Sequence, residues 1–118
     1  MESKHSTFSW NRSAALEFAG GDENLLNDVV QIFLADSPGL MNRLQQAVLQ
    51  NDAGRLERAA HSLCGALSYL AAPDACELAR RLEAAGRNKQ LECSWDVFNG
   101  LQIQMLMLWS ALDAGSNA

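Results

Sequence analysis

The chain has 118 residues, of which 48% are hydrophobic and 19% charged, a balance that fits one compact globular domain and excludes a disordered chain. Fourteen acidic residues against nine basic ones leave a formal charge of −5, with Lys4 and Lys89 the only lysines, which argues against binding the phosphate backbone of nucleic acid. Three cysteines without a C-x-x-C spacing argue against a disulfide framework or a zinc site. No apolar run approaches the roughly eighteen residues of a membrane span, and the first ten residues lack the apolar core of a secretion signal, so the expected location is the cytoplasm.

Period-two strand patterns are absent, and helical periodicity runs through most of the chain. Residues 1–7 are polar and read as a flexible tail, with His5 a tail residue; residues 8–118 read as one helical domain. A short first helix is expected over residues 10–18, stopped by Gly20-Gly21. Asp22 then offers an N-cap oxygen to a helix with apolar residues at Leu26, Val30, Phe33, Leu40, Leu44 and Val48. Pro38 removes a backbone donor in the middle of that stripe, yet the stripe keeps its phase. Two nearly coaxial segments are therefore expected.

Asp52 is placed to cap a third helix over residues 53–70, with Leu56, Ala60, Leu63, Leu67 and Leu70 as its buried stripe. Pro73 suits the first position of the next helix, whose stripe is Ala75, Leu78, Ala79, Leu82 and Ala85 and whose stop is Gly86. Arg80, Arg81 and Glu83 form its solvated face. Ser94 reads as the cap of a last helix carrying Phe98, Leu101, Met105, Leu108 and Leu112, with Trp95 and Trp109 filling volume. The pattern predicts an all-α, antiparallel four-helix bundle preceded by a short extra helix.

His61 does not fit the stripe of its own helix. At 100° per residue it lies about 140° from the centre of the leucine stripe and points outward. Gly54, Glu57, Gly65, Ser68 and Ala72 share its face, with Arg58 and Cys64 on the flanks. A glycine inside a helix costs about 0.5–1 kcal/mol relative to alanine, and Gly65 sits on the exposed side. Small residues around an exposed imidazole make a place another molecule's backbone can approach. A plain surface histidine beside an unimportant glycine fits the pattern as well.

Ala60-His61-Ser62-Leu63-Cys64-Gly65, then Leu70-Ala71-Ala72 and a helix through Leu78 to Leu82-Glu83, resembles the histidine-containing phosphotransfer (HPt) domain of bacterial phosphorelays. Residues 20–26 and 33–38 resemble that family's opening helices. Residues 8–16 resemble the lead-in found when the domain ends a hybrid sensor kinase, although Met1 is compatible with a free-standing protein. The resemblance implies that His61 accepts a phosphoryl group from a receiver-domain aspartate and passes it to another. Its implied neighbourhood is Cys64, Gly65, Ser68, Arg58 and Arg87. The implied partners are response-regulator receivers, with Mg²⁺ brought by the receiver, and possession of an ATP site or resident cofactor is not implied. A monomer is expected.

The chemistry suits the position, because a free imidazole titrates near about pH 6.5 and is a good nitrogen nucleophile when neutral. The family's usual lysine three residues after the histidine is replaced by Cys64, and the glycine before the next helix by Ala71, read as a minor packing change. Either Arg58 or Arg87, expected beyond the next helix, supplies the missing cation, or the domain is a phosphorylation-independent docking module. A cysteine nucleophile or a metal site built on His61 and Cys64 lacks further partners, and Cys76 and Cys93 read as ordinary small apolar residues. Leu25, Val29 and Ala72 are the candidate docking residues.

Overall fold

The computed structural model describes residues 10–116, so the expectations for the tail, His5 and the beginning of the lead-in lie outside the described residues. Five helices follow one another: α1 (Arg12–Phe18), α2 (Glu23–Leu49), α3 (Ala53–Tyr69), α4 (Pro73–Asn88) and α5 (Ser94–Ser116). No strand occurs among the described residues. Helices α2 to α5 form a ring in which α2 touches α3 and α5, and α4 touches α3 and α5, while α1 packs on α2 at one end. This is the four-helix bundle with an extra N-terminal helix that the sequence predicts.

Local chemistry accounts for most of the boundaries. α1 begins at Arg12 because the Asn11 side chain accepts from the Ala14 amide at 3.0 Å, and it stops where Gly20 and Gly21 adopt φ of +70° and +78°. Asp22 Oδ1 accepts from the amides of Asn24 and Leu25, and Asp52 Oδ1 from that of Arg55. Pro73 opens α4 as expected. Ser94 is the first residue of α5 and not a cap that accepts from it; its hydroxyl donates back to Leu91 O at 2.7 Å.

Four expectations are corrected. Pro38 neither breaks nor divides α2, which runs as one helix from Glu23 to Leu49. The missing amide is tolerated inside a well-held segment: the buried Ser37 hydroxyl donates to Phe33 O at 2.6 Å and accepts from Trp109 Nε1 at 2.7 Å, tying the proline turn to α5. Gly86 does not stop α4 but lies buried within it. A Cβ there would stand 2.6 Å from Ala53 O and 2.7 Å from Glu57 N, so the glycine lets the α3 and α4 backbones touch. Lys89, with φ of +55°, ends the helix instead. Ala71 is more than a packing change, since its φ is also +55°, a left-handed conformation that costs a non-glycine residue about 1–2 kcal/mol. Finally, Trp95 fills less volume than expected: it stacks on Phe98 at 5.7 Å but stays exposed.

The core follows the predicted stripes with three exceptions: Leu40, Leu78 and Ala85 are only half-buried, and in α2 Met41 is buried where Leu40 was expected. Leu44, Leu56, Leu63, Leu67, Leu82, Leu101, Met105 and Leu108 are completely buried. Each such side chain contributes about 1.5–3 kcal/mol by leaving water, enough to fix the rotation of every long helix about its axis. That rotation sets which residues α3 presents outward.

Candidate functional site

With Leu56, Leu63 and Leu67 turned inward, His61 is carried to the crest of α3, and 77% of its side chain is exposed. The two sides of the crest differ. On the side toward α2 lie Arg58, Ser62, Ala66 and Tyr69; on the side toward α4 lie Glu57 and Cys64. α3 and α4 run antiparallel, so Gly86 meets Glu57, Glu83 meets His61 and Cys76 meets Cys64.

The close backbone approach at Gly86 brings Glu83, one turn earlier on α4, beside His61. Glu83 is therefore not on a solvated face: its side chain is 15% exposed, and its Oε2 lies 2.8 Å from His61 Nδ1. A carboxylate only accepts, so Nδ1 carries the proton and donates, and the lone pair of the neutral ring resides on Nε2. Nε2 has no hydrogen-bond partner among the described residues. Arg87 Nη2 donates to the same Glu83 oxygen at 3.1 Å, and Arg87 Nε lies 3.4 Å from Glu57 Oε2. A chain of four side chains, His61, Glu83, Arg87 and Glu57, thus crosses the α3/α4 seam. Arg87 belongs to the last turn of α4, not to the segment beyond it.

The remaining predicted residues are placed as follows. Gly65 is exposed, and a Cβ on it would meet nothing within 4 Å, so no packing inside the chain calls for glycine there. Ser68 donates its hydroxyl to Cys64 O at 2.9 Å, an internal helix bond. Arg58 lines a cleft between α2 and α3 together with Arg43, Arg55 and Ser62. Neither Arg43 nor Arg58 has a carboxylate partner among the described residues. Cys64 turns its sulfur toward α4, 3.2 Å from Cys76 Sγ. Burial and the Cys76 thiol push the Cys64 thiol up to about 11, so it is neutral near pH 7.

Two functional candidates escaped the sequence reading. Glu83 is one, and the signal was the pairing of a carboxylate with a glycine one turn later on the α3-facing side of α4. Arg80 is the other. Its exposed guanidinium, loosely paired to Glu77 at 3.8 Å, is close enough to Cys64 to draw the thiol's pKa downward against the larger upward effects. It is a positive charge near the position where lysine was expected. Of the docking candidates, Leu25 is exposed and Val29 half-buried, but Ala72, in the turn between α3 and α4, is only 2% exposed because it joins the hydrophobic core. An apolar cleft lined by Val29, Ile32, Leu40, Ala66 and Tyr69 opens instead on the α2 side of the crest. Among the described residues no three His, Cys, Asp or Glu side chains gather as a metal-binding group.

Comparison with known proteins bears on the same region. The fold is similar to that of histidine-containing phosphotransfer protein B (HptB) from Pseudomonas aeruginosa PAO1, with a TM-score of 0.84 and 18% identity over 92% of this chain and 94% of that one. It is also similar to the HPT domain of the Hpt sensor hybrid histidine kinase from Shewanella, with a TM-score of 0.82 and 24% identity over 89% of this chain and 91% of that one. No curated protein matches the chain. The model of the Hpt domain matches residues 28–115, a stretch that contains the His61 crest and all of α3 and α4. The chain belongs to the Hpt domain family, the histidine-containing phosphotransfer modules of phosphorelays.

Proposed function

We propose that His61 is the phosphoryl carrier of this domain, taking the group from the aspartyl phosphate of one receiver domain and delivering it to the aspartate of another. The observation that carries this reading is the His61–Glu83 contact at 2.8 Å beneath an otherwise exposed ring. Nε2 attacks phosphorus in line, the bond between phosphorus and the aspartate oxygen breaks, and the aspartate leaves as carboxylate. The ring gains positive character as the N–P bond forms, and the Glu83 carboxylate on Nδ1–H stabilises it. The reverse sequence regenerates neutral His61. A helix holds the ring still, which supports transfer by positioning.

Phosphoryl oxygens also need positive charge, and Cys64 supplies none. Arg80 takes that part in this reading, since Arg87 is engaged by two carboxylates and Arg58 lines the α2/α3 cleft. Mg²⁺ comes with the receiver. The receiver docks on the α2 side of the crest, its apolar surface over Val29, Ile32 and Tyr69 and its acidic groups toward Arg43 and Arg58. Gly65 keeps the crest low enough for its backbone to approach. Residues 8–118 act as one unit, a monomeric carrier without its own ATP site, in the cytoplasm. No helix among the described residues is long and apolar enough to cross a membrane.

The neutral Cys64 supports a second reading, in which the domain docks receivers without carrying phosphate. One experiment separates the two. A receiver labelled on its aspartate is mixed with the chain and with His61→Gln, which changes only an exposed side chain and leaves the bundle intact. Acid-labile label on the wild type and none on the variant is the expected result. Receiver binding without label on either protein would establish the docking module.

A further inference from the structure

Cys64 and Cys76 face each other across the α3/α4 seam with their sulfurs 3.2 Å apart, closer than two unbonded thiols usually stand. Each thiol also lies within 4 Å of the other residue's carbonyl oxygen, at 3.9 and 3.8 Å, so both side chains are aimed into one small space. A disulfide needs the sulfurs at about 2.05 Å, a closure of roughly 1 Å between two helices already in contact. The two differ in access: Cys64 is half-buried at the edge of the crest, Cys76 is buried, and the exposed Cys93 lies on the α4–α5 connection.

We propose that Cys64 and Cys76 are an oxidisable pair, in which hydrogen peroxide oxidises Cys64 and closure onto Cys76 staples α3 to α4 beside His61. The Cys64 thiolate attacks one peroxide oxygen, the O–O bond breaks, and Cys64 becomes a sulfenic acid as hydroxide leaves and is protonated to water. The Cys76 sulfur then attacks the Cys64 sulfur, the S–O bond breaks, and a second water leaves with the Cys76 proton. The two thiols together lose two electrons and two protons, and one peroxide becomes two waters. The surroundings make the first step slow near neutral pH. Burial, the Cys76 thiol and the Glu83 carboxylate disfavour the Cys64 thiolate, and only Arg80 favours it. The pair therefore answers to sustained oxidant more than to a brief pulse.

The staple bears on His61 through the helices that hold it. Cys64 is one turn after His61 on α3, and Cys76 is two turns before Glu83 on the same side of α4. Drawing the sulfurs together resets the spacing of the His61–Glu83 contact. This consequence does not depend on His61 carrying phosphate, and its readouts are independent of any transfer assay.

The test uses the chain with Cys93→Ser, treated with hydrogen peroxide and then unfolded and alkylated. The expected product has lost two hydrogens by mass, has no alkylatable thiol, and yields a peptide pair joined between residues 64 and 76. A thiol reductant reverses it. The bridge restricts the unfolded chain, and since the loop it closes is short the gain is modest: the oxidised form melts roughly 5–10 °C higher than the reduced one. The imidazole NMR signals of His61 move on oxidation and return on reduction. Two alkylatable thiols after treatment, or a sulfinic acid on Cys64 without a bridge, would overturn the pair. A mapped bridge with unmoved His61 signals would overturn its link to the crest. If Cys93→Ser disturbs folding, mapping the bridge on the unsubstituted chain decides between the same outcomes.

Discussion

At the α2/α5 seam, Trp109 Nε1 donates to Ser37 and Ser37 donates to Phe33 O, all at 2.7 Å or less. At the α3/α4 seam, His61 donates to Glu83 and Arg87 donates to the same oxygen, at 2.8 and 3.1 Å. The first set is closed. Ser37 is buried with its hydroxyl both giving and accepting, and the contact steadies a helix that carries an internal proline. The second set is open: one end of it is an exposed ring whose second nitrogen has no partner among the described residues. Similar bonds across similar seams therefore do different work. A buried, satisfied polar contact specifies how helices pack, whereas an exposed one with a spare lone pair leaves a nitrogen open to whatever arrives.

The strongest way to break this contrast is to separate α3 from α4. Gly86→Ala places a Cβ against Ala53 O and Glu57 N, both backbone atoms that cannot swing aside. The expected cost is about 3 kcal/mol, at the upper end for overpacking, read as a lower urea midpoint. The same substitution shifts Glu83 relative to His61, so Nδ1–H loses its fixed acceptor and the ¹⁵N signals of His61 report a mixture of tautomers. Unchanged stability and an unchanged tautomer would mean that the seam does not depend on backbone contact at Gly86.

Ser37→Ala tests the closed set. It removes the acceptor of Trp109 Nε1 and leaves that N–H unpaired in a half-buried position. The expected loss is about 1–2 kcal/mol by denaturant titration, with the His61 tautomer untouched. If the tautomer moved as well, the two seams would be coupled and the division of labour between them would fail.

The difference between the seams also explains what the sequence could reveal. Caps at Asp22 and Asp52, the Gly20-Gly21 stop and the phase of each leucine stripe are local signals, and they locate the helices and turn His61 outward without any knowledge of neighbours. Pro38 misleads because its support comes from Trp109, 72 residues from Ser37 along the chain. Glu83 and Cys64 mislead for the same reason. Their partners are set by the register of α3 against α4, and Gly86, which looks like a helix stop, is the residue that sets it. Ala71 conceals a left-handed turn because alanine carries no hint of positive φ. The crest was legible from one helix; its chemistry required two.

Glu83→Gln sharpens the contrast with the smallest effect on the fold. The amide keeps the size of the side chain but removes the charge that pairs with Arg87, and it can turn either its oxygen or its NH₂ toward His61 Nδ1. Stability is expected to change by about 1 kcal/mol or less, since His61 and Arg87 are both largely exposed and water replaces much of what is lost. The reactive end responds more. With Nδ1–H no longer required, part of the population carries its lone pair on Nδ1 and presents a protonated Nε2, and in the proposed carrier role the positive character of the ring during transfer loses its counter-charge. Phosphoryl acceptance is expected to slow by roughly tenfold, the worth of one hydrogen bond to a charged group, while receiver affinity holds. A variant that unfolds easily but transfers at the wild-type rate would reverse the assignment, making His61–Glu83 a packing contact like Ser37–Trp109 and leaving the orientation of the ring to α3 alone.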